Sequence, residues 1–161
     1  MVTIREAAGE VEIGWVRELM REYGLSLAER PEARICITGY DEELRRLPGV
    51  YAPPEGALLL ALRDGVAIGC CALKPVKMAE RACEMKRLYV GPAARGLGLG
   101  RAMIEAAIGW ARAAGYAAMV LDTAPAAMPA ANQLYRVMGF VEIERYNDNP
   151  VPGIVFYRME L

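Results

Sequence analysis

The run Arg95-Gly96-Leu97-Gly98-Leu99-Gly100-Arg101 is where this chain most plainly offers chemistry. Three alternating glycines follow a strand-like stretch, residues 85–90, and lead into a helix-like one, residues 101–114. Glycine lets the backbone turn left-handed and lets a ligand approach it closely. A helix start leaves its first N–H groups without partners and carries roughly half a positive charge. A phosphate or pyrophosphate suits such a turn.

Composition removes several other chemistries. The chain has no histidine, which excludes Ser-His-Asp and Cys-His catalysis and the commonest metal ligand. Cys36, Cys70, Cys71 and Cys83 form no C-x-x-C pair, so no zinc or other metal site is expected. Cys70 and Cys71 are neighbours in an apolar strand-like run and must face opposite ways. Buried free thiols fit a reducing compartment, so a cytoplasmic location is expected. A net charge of −1 supplies no basic field for nucleic acid. The N-terminus does not read as a signal peptide. Arg63, Asp64 and Lys74 interrupt the most apolar windows, so no membrane span is expected. At 161 residues, 55% hydrophobic and 24% charged, the chain reads as one soluble globular domain.

The elements that must position the glycine turn follow from periodicity and punctuation. Residues 2–5 read as a strand. Residues 8–23 read as a helix, with Val11, Trp15, Val16 and Leu19 at helical spacing and Gly24 as its stop. Residues 41–46 form a short helix ended by Pro48-Gly49. Strands over 57–62 and 66–73 flank the turn signal Asp64-Gly65, and a third long strand covers 81–90. A helix over 99–114 closes at Gly115, and residues 117–121 form the next strand. Pro129 opens a helix through Met138 that Gly139 caps, followed by strands over 140–145 and 154–161. The order is β-α-α-β-β-β-α-β-α-β-β, a mixed α/β plan with an antiparallel front half.

Three ligands compete for the turn, beside a bare tight turn that binds nothing. A nucleotide P-loop needs Lys and Ser or Thr after its last glycine, where this chain has Arg101 and Ala102. A dinucleotide fingerprint needs a glycine at Arg101, although Asp122 lies suitably downstream. Coenzyme A pyrophosphate is the third. Arg95-x-x-Gly98-x-Gly100 resembles the (Arg or Gln)-x-x-Gly-x-(Gly or Ala) signature of the GNAT superfamily of acyl-CoA N-acyltransferases. Residues 86–92 resemble that family's fourth strand. Residues 131–140, Ala-Asn-Gln-Leu-Tyr-Arg-Val-Met-Gly-Phe, resemble its second cofactor motif.

The resemblance covers nearly the whole chain. It implies a mostly antiparallel sheet of about seven strands with about four helices. It also implies acetyl transfer from acetyl-CoA to a primary amine by direct attack in a ternary complex, without metal. The acceptor would be a small molecule, an amino acid or a protein amino group. The backbone of Gly96, Leu97, Gly98, Leu99, Gly100 and Arg101 would cradle the pyrophosphate. Arg95 would add charge or only shape the loop. Leu88, Tyr89 and Val90 would line the pantetheine path, with the main chain of Leu88 and Val90 pairing to it and the Val90 N–H facing the oxyanion. Asn132 would bond the pantetheine or nearby backbone, and Tyr135 would protonate the departing thiolate. Without the resemblance, Tyr135 reads as core. Alternation puts Glu84, Lys86, Leu88 and Val90 on one face, with Glu84 as general base or as a partner of Lys86. Asp122 and Thr123 would border the acceptor.

The acceptor loops would be residues 25–40, with Glu29, Arg30, Glu32 and Arg34, and residues 146–153. Tyr146 is the leading acceptor contact, and Asp148 could pair an ammonium. A homodimer is implied by resemblance alone. A non-catalytic acyl-CoA sensor would keep the glycine turn but need neither Tyr135 nor Glu84.

Overall fold

The structure, a computed structural model, describes residues 1–29 and 39–161. Arg30, Glu32, Arg34 and Cys36 therefore lie outside the described residues. The chain runs β1 (Val2–Glu6), α1 (Gly9–Ala28), α2 (Tyr40–Arg45), β2 (Ala57–Arg63), β3 (Val66–Val76), β4 (Ala82–Val90), α3 (Leu99–Ala113), β5 (Ala118–Thr123), α4 (Pro129–Val137), β6 (Val141–Ile143) and β7 (Val155–Glu160). This is the expected order. One seven-stranded sheet is formed in the order β1-β2-β3-β4-β5-β7-β6. Every neighbouring pair is antiparallel except β4 with β5. Parallel pairing there follows from α3, whose crossover returns the chain in the same direction.

Strand alternation builds two cores. In β2, Leu58 and Leu60 face α1 and α2, while Ala57, Leu59 and Ala61 face α3. Cys70 and Cys71 divide between the same two cores, as alternation requires. Burial pushes the Cys70 and Cys83 thiols up to about 12 and Cys71 well above its ordinary value. Asp64 (φ 52°) and Gly65 (φ 80°) form the predicted hairpin turn with both central residues left-handed.

Two expectations need correction. Gly24 does not stop α1, which continues to Ala28. A Cβ at Gly24 would stand 2.8 Å from Tyr40 Cε1, so this glycine makes room for a ring of α2. The buried stripe of α1 is Val16, Leu19, Met20, Gly24 and Leu27, and Val11 and Trp15 face outward. The strand expected over 140–145 is only three residues, Val141–Ile143.

Candidate active site

The site begins where the sheet opens. β4 and β5 pair only at Ala82 with Ala118, Cys83 with Met119 and Glu84 with Val120. Past Glu84 the strands diverge, and the inward backbone of β4 has no strand partner there. Gly91 N–H donates to Ile68 O at 2.8 Å, so the alternating ladder turns the Val90 N–H and C=O toward the opening. Arg95 shapes the loop: its Nε donates to Val90 O at 3.2 Å, and its guanidinium lies 6.0 Å from the Tyr89 ring centre.

The glycine turn sits at the mouth of this opening. Gly96 (φ 79°) and Gly98 (φ 74°) are both left-handed, and a Cβ built on either meets nothing within 4 Å. The cradle is thus open, and side chains would occupy the space a ligand needs. Gly98 caps α3 with no side-chain bond, which leaves the first N–H groups of the helix facing outward.

Turn and opening join in one groove of about 470 Å³. Of the residues predicted from sequence, Leu88, Tyr89, Val90, Arg95, Gly96, Gly98, Leu99, Gly100 and Arg101 line it. Leu97 does not; its side chain is 65% exposed. The opposite wall is Ala130, Ala131 and Leu134 of α4 with Met128. Tyr23, Ser26, Leu27 and Ala94 complete it; a helix ended at Gly24 leaves Ser26 and Leu27 outside α1, and Tyr23, inside that helix, carries no sequence signal for a groove. Continuation of the apolar spacing from Met20 to Leu27 was the available signal.

Asn132 and Tyr135 stand behind that wall. Asn132 is 4% exposed; its Nδ2 donates to Thr123 Oγ1 at 2.8 Å and to Met128 O at 2.9 Å. Its Oδ1 is buried without a partner. Tyr135 is 7% exposed and packs edge-on against Phe140 at 5.7 Å, with Tyr157 at 6.2 Å. Burial raises its phenol above the ordinary value, so it stays protonated at neutral pH.

β4 carries a bulge that the simple alternation did not foresee. Cys70 pairs with Tyr89 and Ala72 with Lys86, so two steps on β3 match three on β4. Arg87 takes the extra step at φ 59°, in the left-handed region. The phase therefore reverses. Leu88 and Val90 face the α3 core with Cys83 and Met85, whereas Glu84 and Lys86 face α1. The single face expected for Glu84, Lys86, Leu88 and Val90 does not exist. Arg87 is fixed by Glu43 of α2, with two hydrogen bonds of 2.8 and 3.0 Å, and lies over the Tyr40 ring at 4.9 Å.

Glu84 is 3% exposed and well coordinated. Tyr146 Oη donates to its Oε2 at 2.5 Å, and Lys74 and Lys86 Nζ lie 3.6 and 4.0 Å from its Oε1. Burial, then the charge and hydrogen bond of Glu84, raise the Tyr146 phenol. The Tyr146 ring stands edge-on to Phe156 at 5.2 Å. Asp122 receives Asn147 Nδ2 at 2.7 Å and Asn149 Nδ2 at 3.3 Å. The loop between β6 and β7 is therefore fastened to two strand carboxylates, Glu84 and Asp122. Asp148 points outward and is exposed. Among the described residues no helix is long and apolar enough to cross a membrane.

The arrangement offers an uncapped helix N-terminus beside open space at one end, strand backbone without a strand partner in the middle, and a carboxylate where β4 and β5 part. Residues 15–140 match the acetyltransferase (GNAT) family. An uncharacterized N-acetyltransferase of Schizosaccharomyces pombe is 38% identical over 147 residues, 91% of this chain and 84% of that protein. The paia N-acetyltransferase of Thermoplasma acidophilum, solved in complex with coenzyme A, superposes with a TM-score of 0.76 at 16% identity, covering 100% of this chain and 99% of its own. A GNAT family acetyltransferase from Elizabethkingia anophelis, solved with acetyl-CoA bound, gives a TM-score of 0.65 at 20% identity over 99% of this chain and 98% of its own. The chain belongs to the acetyltransferase (GNAT) family and is an N-acetyltransferase of that type.

Proposed function

We propose that this protein transfers an acetyl group from acetyl-CoA to a primary amine by direct attack in a ternary complex. The observation that carries this is the continuity of the groove. An open glycine turn and a strand edge without a partner share it, and the buried Glu84 stands at the last β4–β5 pair, where the sheet begins to open. Two solved structures of the same fold bear coenzyme A or acetyl-CoA.

Two local features fit the ligand. The open space beside Gly96 and Gly98 suits a pyrophosphate held by backbone N–H groups. The orphaned Asn132 Oδ1 needs a donor, which a pantetheine amide supplies. Bound acetyl-CoA supplies the thioester acyl group. The chain's own groups do the rest. N–H groups of residues 96–101 hold the pyrophosphate, and the main chain of Leu88 and Val90 pairs with the pantetheine arm. Val90 N–H faces the developing oxyanion. Glu84, directly or through water, takes the proton from the attacking amine. Tyr135 gives its phenolic proton to the leaving thiolate. Tyr146 positions Glu84 instead of contacting the acceptor first.

Calorimetric titration with acetyl-CoA, beside NAD and ATP, tests the reading. Saturable binding of acetyl-CoA alone, followed by thiol release when amines are added, is expected. Preference for NAD would overturn the groove assignment, and binding without thiol release across an amine panel would leave a sensor.

A further inference from the structure

Beside the acetyl-CoA groove lies a second, smaller pocket of about 100 Å³. It shares Tyr23 and Met128 with the groove, so the two adjoin. Its charged lining is Lys86, Arg87 and Asp122. Arg87 adds no free charge, because its guanidinium is paired with Glu43. Lys86 and Lys74 both approach the same oxygen of Glu84, at 4.0 and 3.6 Å. One carboxylate facing two ammonium groups leaves a cationic surplus on the β4 side. Asp122 shows the opposite imbalance: the hydrogen bonds it receives come from the neutral amides of Asn147 and Asn149. Among the described residues its negative charge has no cationic partner within ion-pair distance.

The pocket is therefore small and dipolar, positive at Lys86 and negative at Asp122. Building on the function proposed above, we propose that the acceptor is a small zwitterion, a free amino acid. Its carboxylate lies on Lys86, and its amine lies on the Asp122 side, facing the groove. A carboxylate on an ammonium in a recessed site is a charge-assisted bond, stronger than a neutral one. A bare amine would meet Lys86 as a like charge and lose that bond. Lys86 thus selects for the acceptor's carboxylate, and Asp122 orients its amine before Glu84 removes the proton.

The test compares free amino acids with amines that keep the side chain but lack the carboxylate: alanine with ethylamine, phenylalanine with phenethylamine, lysine with cadaverine. Thiol release from acetyl-CoA is the readout. Wild-type kcat/KM should favour the amino acid of each pair by about tenfold or more. Lys86→Met should raise KM for the amino acids by about tenfold to a hundredfold and leave KM for the amines nearly unchanged, while any effect on kcat through Glu84, 4.0 Å from Lys86, should be shared by both classes. Lys86→Arg should restore part of the amino-acid KM. An acetyl-CoA-induced rise in melting temperature in both variants confirms that each is folded. Equal or better use of the carboxylate-free amines, or equal damage to both classes in Lys86→Met, would overturn the proposal while leaving acetyl transfer intact. Failure of acetyl-CoA to bind at all would instead remove the function on which it rests.

Discussion

Glu84 is the residue at which position and chemistry converge. It sits at the last β4–β5 pair before the sheet opens, buried, with a phenol donating to one oxygen and two lysines near the other. A carboxylate held this firmly cannot swing away, so a substitution tests chemistry with little rearrangement. Glu84→Gln keeps the shape and removes the proposed base. Its kcat should fall by about 10²- to 10⁴-fold, with acetyl-CoA affinity nearly unchanged and the acidic limb of the pH profile lost. Steady-state kinetics across pH beside calorimetry would show this, and an unaltered profile would assign the proton to water alone. Tyr135 gives a complementary case. Burial keeps its phenol protonated but also makes it a weaker acid. Its contribution should be the smaller one: Tyr135→Phe should lower kcat by about 10²-fold, at the low end of acid-base effects, with little change in acetyl-CoA Kd. Full turnover in that variant would return Tyr135 to the core, where the sequence alone puts it.

At the scale of elements, the bulge in β4 decides which side chains reach the site. It inserts Arg87 at φ 59°, a conformation that costs a residue bearing a Cβ about 1–2 kcal/mol. The paired hydrogen bonds to Glu43 offset that cost. Arg87→Ala keeps the strain and strands a half-buried Glu43, so it should destabilise by about 2–4 kcal/mol. Arg87→Gly loses the same bonds but removes the strain, and should be about 1 kcal/mol less damaging. Urea melts of the two variants would separate the contributions. Equal losses would mean that the left-handed turn is not strained. The same bulge shows where sequence reading stops. The glycine turn was legible because three glycines before a helix have few other uses, and the element order followed from capping and turn residues. A bulge with arginine in the left-handed position carries no local signal, because its partner, Glu43, is distant in the chain. Gly24 misled for a related reason: helix stops and close ring contacts both select glycine, and only Tyr40 tells them apart. The Tyr146–Glu84 bond, across 62 positions, was equally invisible, although both residues were named separately.

For the whole molecule, the sheet is two blades hinged near Glu84: the meander β1–β4, and the set β5, β7 and β6. Past the three parallel pairs, the blades are joined across the opening through α3 and the latch of Tyr146 on Glu84. A ligand seated in the groove touches α1, β4, α3 and α4 together, and so spans both blades. Its binding free energy then adds to the stability of the folded state, which alone presents the groove. At a ligand concentration of 100 Kd this linkage amounts to about 2.7 kcal/mol. For a chain of this size that corresponds to a rise in Tm of roughly 5–11 °C, at about 2–4 °C per kcal/mol. Gly98→Val tests the origin of the rise. Valine at φ 74° is strained, so the variant should melt a few degrees lower without ligand. The informative quantity is therefore the ligand-induced increment. The valine side chain would fill the open space beside the α3 N-terminus, the proposed seat of the pyrophosphate. Acetyl-CoA should then leave the melting temperature of Gly98→Val unmoved, while the wild type rises. A full increment in the variant would mean that the ligand bridges the blades elsewhere, and the glycine turn would revert to a helix cap.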